Sequence, residues 1–293
     1  MKKHSTAYIY LTITTSAWGS LYVVSKFILD QVPIFTLLFL RYLLAGIVLL
    51  VVLIKRKPQK IARQDYKYIF IIGVFGYFLS VGAQLIGTKL ANASLASLIN
   101  AMNPISIIIF ARLILKEKLT LNKVVAVIAA VTGTYIIIGG ASGGGKMLGI
   151  ILSIISVLIW SLTTVVARRI NQKYDSLTIT TYSFFIATVC SFPTALYEFA
   201  TVDIKIFEPH LIYSILYIGI ICTALTNLLW NKSLSMIDAG NCSLFYPIQP
   251  LVATLLGWLL LGESVDISFV AGAVLIIGGV LSSIIGGQKD PST

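Results

Sequence analysis

The charged residues of this 293-residue chain are confined to short intervals between long uncharged stretches. Ten stretches of 21–24 residues contain a single charged residue between them, Arg41. A helix rises about 1.5 Å per residue, so about 20 residues cross the roughly 30 Å hydrocarbon core of a bilayer. The stretches are 5–25, 31–54, 68–88, 90–111, 124–145, 147–167, 176–197, 209–231, 239–262 and 267–288. With a charged fraction of only 11%, this pattern predicts an all-α membrane protein with ten transmembrane helices.

The basic residues between the stretches are unevenly distributed. If the N-terminus is cytoplasmic, 17 of the 22 Lys and Arg residues lie in cytoplasmic segments and four in outer segments. This bias is the positive-inside rule, and it predicts that both termini are cytoplasmic. The net charge of +11 therefore reflects insertion into a bilayer with anionic lipid, and no nucleic-acid partner is expected. We expect a multi-pass protein of the plasma membrane, the inner membrane of a bacterium.

The chain divides into two similar halves of five stretches each. Trp18 and Trp160 lie 142 residues apart. Four residues of the first half recur 146 residues later: Ala93, Pro104, Glu117 and Gly133 correspond to Ala239, Pro250, Glu263 and Gly279. A half with an odd number of spans places its copy in the opposite orientation. The sequence therefore predicts an inverted repeat, which is typical of secondary transporters with a site near the midplane.

The boundaries of the two halves follow from a glycine-rich segment at the midpoint. The predicted units are a first five-helix repeat over 1–139, a linker over 140–146, a second repeat over 147–288 and a cytoplasmic tail over 289–293.

Several short motifs carry a family resemblance that covers essentially the whole chain. They are Trp18-Gly19-Ser20, Arg41-Tyr42, Trp230-Asn231 followed by Ala239, and Pro104 and Pro250, each thirteen residues before a glutamate, Glu117 or Glu263. Together they resemble the EamA-type branch of the drug/metabolite transporter superfamily. The resemblance implies a ten-helix carrier that exports amino acids or other small metabolites. It also implies a cavity lined mainly by helices 1, 3, 4, 6, 8 and 9, with helices 5 and 10 structural.

Arg41 is the strongest single candidate for a functional residue. An intramembrane charge is costly and favours a functional role. One interpretation is that its guanidinium faces the cavity and binds a substrate carboxylate or phosphate. The other is that it binds backbone carbonyls or holds and gates the outer helix ends.

Polar and aromatic residues inside the stretches are the further candidates. A buried amide needs a partner in hydrocarbon, either in a wet cavity or on another helix. The candidate cavity residues are Trp18, Tyr22, Arg41, Gln84, Asn100, Asn103, Trp160, Thr164, Asn227, Trp230, Asn231, Tyr246 and Gln249. Pro104, Pro247 and Pro250 are expected to break helices 4 and 9 beside them.

Acidic residues are absent from the ten stretches, and the two histidines, His4 and His210, lie at the ends of stretches. The sequence suggests no catalytic cluster, metal site or cofactor, and no enzyme is expected. Glu117 and Glu263 are interpreted as helix-start anions or bridges to nearby basic residues. The missing carboxylates argue against coupled export of permanent cations.

These observations predict a secondary transporter that exports amino acids or related zwitterions by alternating access. A multidrug or organic-cation exporter and an organic-anion exchanger remain as alternatives. The expected partners are a small-molecule substrate and the lipid bilayer. The chain is expected to be a monomer, with a homodimer as the alternative.

Overall fold

The structure, a computed structural model, describes residues 2–28, 31–56, 58–90, 99–100, 102–138, 147–202, 208–261 and 267–288. Over these residues the fold is all-helical, with ten helices and no strand. The helices are α1 (Lys2–Ile28), α2 (Ile34–Arg56), α3 (Arg63–Leu90), α4 (Asn103–Leu115), α5 (Leu121–Ile138), α6 (Met147–Asn171), α7 (Ser176–Thr201), α8 (Pro209–Met236), α9 in two segments (Ala239–Ser243 and Ile248–Leu261) and α10 (Ile267–Gln288).

Six of the described helices are long and apolar enough to cross a bilayer, namely α2, α3, α6, α7, α8 and α9. Shorter apolar stretches lie in α4, α5 and α10. The prediction of an all-α membrane protein is thereby confirmed, while the count of ten spans stays a prediction. The predicted linker 140–146 and tail 289–293 lie outside the described residues.

The helices pack in pairs around a shared interior. The most extensive contacts join α3 with α6, α5 with α10 and α2 with α7, followed by α1 with α8 and α9, α2 with α8, α3 with α7, and α4 with α6. The largest buried cluster includes Trp18, Tyr42, Tyr77 and Trp230, from four different helices. Because lipid is as apolar as a leucine side chain, such packing depends on close contact and small residues rather than on hydrophobicity.

Three irregularities in the helices lie next to the interior. Nine-residue π-helical stretches interrupt α3 at Ile72–Ser80 and α8 at Tyr217–Leu225. The two segments of α9 are separated by a turn at 244–247, in which Tyr246 donates its backbone N–H to the Ser243 carbonyl three residues earlier. Pro247 lies in this turn and has no backbone N–H to donate, so it removes one bond of the helical ladder there.

The other two prolines that were expected to break helices lie in first helical turns, each just after a turn in the chain. Pro104 lies in the first turn of α4, and Pro250 lies in the first turn of the second α9 segment. A proline is tolerated there because the first N–H groups of a helix have no partner within it. Pro104 therefore begins the described α4 rather than kinking its middle.

Candidate functional site

A cavity lies between α1, α2, α3, α4, α6, α8 and α9. It contains about 940 Å³ of empty space, a volume that includes its open mouth. Its lining residues are Trp18, Leu21, Arg41, Tyr42, Tyr77, Ser80, Val81, Gln84, Leu85, Thr88, Asn100, Asn103, Ser156, Trp160, Asn227, Tyr246 and Gln249. Aromatic rings and neutral polar groups therefore dominate its described wall.

The cavity extends toward one end of the helix bundle. Thr88 lies in the last turn of α3, and Arg41 lies about two turns after the start of α2. Since α2 and α3 run in opposite directions here, both residues mark the same end. We call it the Arg41 end, and we call the opposite end, which carries Arg168 and Lys123, the basic end.

Arg41 is the only charged residue among the described cavity-lining residues. Its side chain is buried, with 6% of the residue exposed. The guanidinium Nε donates to the Thr223 hydroxyl at 3.0 Å, and its carbon lies 5.5 Å from the centre of the Tyr42 ring. The Nε group is bonded to Thr223. The two terminal Nη groups have no hydrogen-bond partner among the described residues, so they can bind a ligand.

Toward the basic end, aromatic rings close the cavity. Trp18 lies at the centre of this group of rings. Its ring centroid lies 6.1 Å from that of Trp160, 5.5 Å from that of Trp230 and 5.9 Å from that of Tyr246. The Trp160 indole N–H donates to the Tyr246 hydroxyl. The Trp18 indole N–H donates to the Thr226 hydroxyl at 3.0 Å. The polar groups of Trp18, Trp160 and Tyr246 thus have partners, which holds this aromatic floor in one arrangement.

Below the aromatic floor lies a layer of buried hydrogen bonds. The Asn231 side chain amide donates to the Tyr77 hydroxyl at 3.1 Å and to the Thr180 hydroxyl at 2.9 Å. Its oxygen accepts from Asn171 at 3.2 Å. These bonds join α3, α6, α7 and α8, and they seal the bundle below the cavity.

Four charged side chains form a further layer, the basic-end cluster of Glu117, Lys123, Arg168 and Asp238. Arg168 lies 3.9 Å from Glu117 and 3.6 Å from Asp238, and Lys123 lies 3.4 Å from Asp238. The Glu117 carboxylate also accepts the backbone N–H groups of Ala239 and Gly240 at 3.0 and 3.2 Å. The cluster therefore ties the α4–α5 loop to α6 and to the start of α9.

Glu117 is both a helix-start anion and a bridge to Arg168, the two roles that the sequence suggested. It precedes α5 in sequence, but its carboxylate binds the first N–H groups of α9 instead. The chain turns back at Lys116, which adopts a left-handed backbone conformation with φ of 57°. Burial raises the pKa of the Glu117 carboxyl above its ordinary 4.5, and the nearby Asp238 raises it further.

Nine of the thirteen predicted cavity residues are brought together on the cavity wall. They are Trp18, Arg41, Gln84, Asn100, Asn103, Trp160, Asn227, Tyr246 and Gln249. The side chain of Tyr22 lies outside the described residues.

The structure places Thr164, Trp230 and Asn231 behind the wall rather than on it. Trp230 is only 2% exposed and packs against Trp18 and Tyr246. Asn231 is held in the hydrogen-bond layer, and Thr164 is buried in α6. A polar residue within a predicted membrane helix therefore indicates either an interhelical hydrogen bond or a position on the cavity wall.

Several lining residues were missed by the sequence analysis. Tyr42, Tyr77, Ser80 and Ser156 line the cavity but lie in apolar runs. Tyr42 follows Arg41 directly, and that adjacency was the only signal available for it. Thr223 was also missed, because its contact with Arg41 joins residues 182 positions apart.

Known proteins are similar to this chain over its whole length. It is 26% identical to "Uncharacterized transporter YetK" of Bacillus subtilis (strain 168) over 97% of this chain and 88% of that protein. It is 25% identical to an "Uncharacterized transporter" of Clostridium kluyveri over 99% of this chain and 95% of that protein. A solved crystal structure superposes with a TM-score of 0.82 at 20% identity, covering 98% of this chain and 99% of that one. The structural similarity supports the fold alone.

A match to a known protein family agrees with these similarities. The EamA-like transporter family matches residues 5–139 and 147–285. These ranges contain the described cavity-lining residues, Arg41 among them. The chain is therefore a multi-pass membrane transporter, not an enzyme, and it belongs to the EamA-like transporter family.

Proposed function

We propose that the protein is a secondary transporter that exports small zwitterions, most simply amino acids, across the plasma membrane of a bacterium. One observation carries the proposal. The described cavity wall combines one fixed cation, Arg41, with neutral amides, hydroxyls and aromatic rings, and it carries no carboxylate. Such a wall supplies one strong site for a carboxylate and apolar surface for the rest of a small molecule.

The two alternative substrate classes fit this wall less well. An organic cation in a low-dielectric cavity would need a counter-charge, and none of the described lining residues supplies one. A sugar phosphate carries about two negative charges and would leave one of them unpaired beside a single arginine. A substrate with one carboxylate and no net charge avoids both costs.

Ten spans in two inverted halves are part of the same proposal. In a repeat of this kind, each helix of the first half corresponds to the helix five numbers later, and each helix of the second half to the one five numbers earlier. The pair α3–α6 then corresponds to α8–α1, and the pair α1–α9 corresponds to α6–α4. All four of these helix pairs pack closely in the structure. The pairs α2–α7 and α5–α10 each correspond to themselves. The π-helical stretches Ile72–Ser80 and Tyr217–Leu225 lie 145 residues apart, close to the spacing of the matched sequence positions.

The pair α6–α8 departs most from this symmetry over the described residues, and it supports alternating access. α6 packs against α8, but the corresponding helices α1 and α3 do not pack closely over their described residues. The gap between α1 and α3 is lined by Leu21, Leu85 and Thr88 at the Arg41 end. In the predicted orientation this cavity faces the outside, while the aromatic floor and the basic-end cluster close the cytoplasmic side. Transport would exchange the two closures.

The test is counterflow in liposomes that contain the purified protein. Vesicles are loaded with one unlabelled compound, and uptake of the same labelled compound is followed for leucine, a quaternary ammonium ion and a sugar phosphate. We expect uptake of leucine above that of protein-free vesicles, and none of the other two. Uptake of the cation or of the phosphate alone would contradict the proposed substrate class.

A further inference from the structure

Thr223 lies at the meeting point of two cavity side chains. Its hydroxyl accepts the Arg41 Nε–H at 3.0 Å, and its backbone carbonyl accepts an N–H of the Asn227 side chain at 2.9 Å. Both partners line the cavity. Arg41 and Asn227 are therefore held side by side, although they come from α2 and α8.

The π-helical stretch of α8 sets the polarity of the Thr223 hydroxyl. That hydroxyl donates at 2.7 Å to the carbonyl of Ile218, five residues earlier. Elsewhere in α8 the Thr226 hydroxyl bonds in the ordinary way, to Cys222 four residues earlier. Because a guanidinium N–H can only donate, the Thr223 oxygen accepts from Arg41, and the bond to Ile218 turns the hydroxyl hydrogen away from Arg41. The wider π turn, a feature often found at functional sites, thereby fixes the guanidinium.

Asn227 has an unused acceptor. Its amide NH₂ is committed to the Thr223 carbonyl, so its oxygen Oδ1 is the free end of the group. That oxygen is buried and has no hydrogen-bond partner among the described residues, and the whole residue is 3% exposed. A buried acceptor without a donor costs about 1–3 kcal/mol. A donor supplied by a ligand in the cavity would remove this cost.

We propose that Arg41, Thr223 and Asn227 form the subsite for the head group of an α-amino acid. The two Nη groups of Arg41 bind the carboxylate end-on, and the Asn227 oxygen accepts a hydrogen bond from the ammonium group. Thr223 is the positioning residue for both. The subsite rests on the proposed function, since it specifies which groups bind each half of the zwitterion. The carboxylate and ammonium groups of an α-amino acid are both attached to the α carbon, so they lie close together. Arg41 and Asn227, which are both held by Thr223, suit that spacing.

The subsite can be tested with three ligands that share one side chain. Leucine has both charged groups, 4-methylpentanoate lacks the ammonium, and 3-methylbutylamine lacks the carboxylate. Their affinities are measured with purified protein in detergent by calorimetry, and folding of each variant is checked by thermal unfolding. For the wild-type protein we expect leucine to bind most tightly and the amine most weakly.

Asn227→Leu removes the acceptor with little change of volume. We expect leucine to bind about tenfold more weakly, because a hydrogen bond to a charged group is lost. The affinity of 4-methylpentanoate should stay within about twofold to threefold. If Asn227→Leu leaves the ratio of the two affinities unchanged, the ammonium does not bind there and the subsite is wrong. Asn227→Asp is the second variant, and it should strengthen binding of 3-methylbutylamine about tenfold.

Thr223→Val and Thr223→Ser form a matched pair. The valine variant loses the acceptor for Arg41, so we expect leucine and 4-methylpentanoate to bind more weakly by a similar factor, about tenfold. The serine variant keeps the hydroxyl and should restore both affinities. Equal affinities for the valine and serine variants would contradict the positioning role.

The outcomes for the wild-type protein separate the two levels of the proposal. If 4-methylpentanoate binds as tightly as leucine, the ammonium position is wrong while carboxylate binding in the cavity stands. If none of the three ligands binds, the proposed substrate class is wrong, and the subsite falls with it.

Discussion

Arg41 is a permanent charge within an apolar helix, and its neighbours explain how the fold tolerates it. A charge at this depth costs at least about 2.5–3.5 kcal/mol on insertion scales. The Thr223 hydroxyl and the Tyr42 ring offset part of that cost, but no carboxylate among the described residues pairs with it. The remaining cost is what a bound carboxylate would relieve.

Glu198 is a residue for which the structure predicts a purely structural effect. From the end of α7 its carboxylate accepts the backbone N–H groups of Phe35 and Thr36 at 3.2 and 2.6 Å, and the Thr36 hydroxyl at 2.9 Å. It therefore completes the start of α2. We expect Glu198→Ala to lower the free energy of unfolding by about 1–3 kcal/mol, measured by denaturation in detergent. Glu208, whose side chain is 43% exposed, is the control, and Glu208→Ala should change the free energy of unfolding by less than about 0.5 kcal/mol.

Glu117 should make stability depend on pH. Its pKa is raised in the folded protein by burial, so the folded state holds that proton more tightly than the unfolded state. The contribution of this proton is complete below the ordinary pKa of 4.5 and is lost as the pH rises through the raised value. Thermal midpoints of the wild-type protein should fall over that window relative to those of Glu117→Gln. Parallel pH profiles for the two proteins would show that Glu117 does not titrate in this way.

At the scale of helices, α5 and α10 pack closely because glycines let them approach. A Cβ added at Gly133 would lie 2.7 Å from the Gly272 carbonyl oxygen of α10. One added at Gly279 would lie 3.0 Å from the Ala126 carbonyl oxygen of α5. The matched glycines of the two halves thus lie on one interface, each against the backbone of the opposite helix, as small residues do where membrane helices approach closely.

These contacts give a prediction with a control on the same helix pair. Gly133→Ala should force α5 and α10 apart and lower the thermal midpoint. Gly278 has no atom within 4 Å of its added Cβ, so Gly278→Ala should raise stability by up to about 1 kcal/mol through helix propensity. Unfolding of both variants is followed in the same detergent. A Gly133→Ala variant as stable as Gly278→Ala would mean that the interface is looser than the structure indicates.

The helices were predictable from the charges, but their ends were not. The stretch 147–167 became α6, which runs to Asn171, because Arg168 is neutralised by Glu117 and Asp238 instead of ending the helix. The stretch 176–197 became α7, which extends past Glu198 because that carboxylate binds α2. Sequence alone marks a charge as a boundary, and only the tertiary partner shows that the helix continues.

The cavity was predictable in part for the same reason. Arg41, Trp18 and Trp160 were marked by charge and by repetition, and all three line the cavity. Asn231 has the same polarity as Asn227, yet it lies in a hydrogen-bond layer one turn away. Which face of α8 points inward depends on the π-helical stretch and on the packing of α2, and neither is visible as a local pattern.

At the scale of the whole molecule, the two ends of the bundle should differ in accessibility. In a variant without Cys190, Cys222 and Cys242, a single Thr88→Cys would lie in the cavity mouth at the Arg41 end. We expect a membrane-impermeant maleimide added outside cells to label it, and a transported substrate to slow the labelling. Ser233→Cys, at a fully buried position toward the basic end, is the control and should stay unlabelled. Labelling of Thr88→Cys only from the inside would reverse the predicted orientation.

The most direct test of the account is counterflow of labelled leucine into liposomes that contain either the wild-type protein or Arg41→Ala. The account predicts uptake by the wild-type protein and a loss of at least about tenfold in the variant, since the only fixed charge of the described cavity wall is removed. The thermal midpoint of the variant, measured in parallel, must show that it is folded. Equal leucine uptake by a folded Arg41→Ala variant, or no uptake by the wild-type protein, would contradict a transport cavity centred on Arg41.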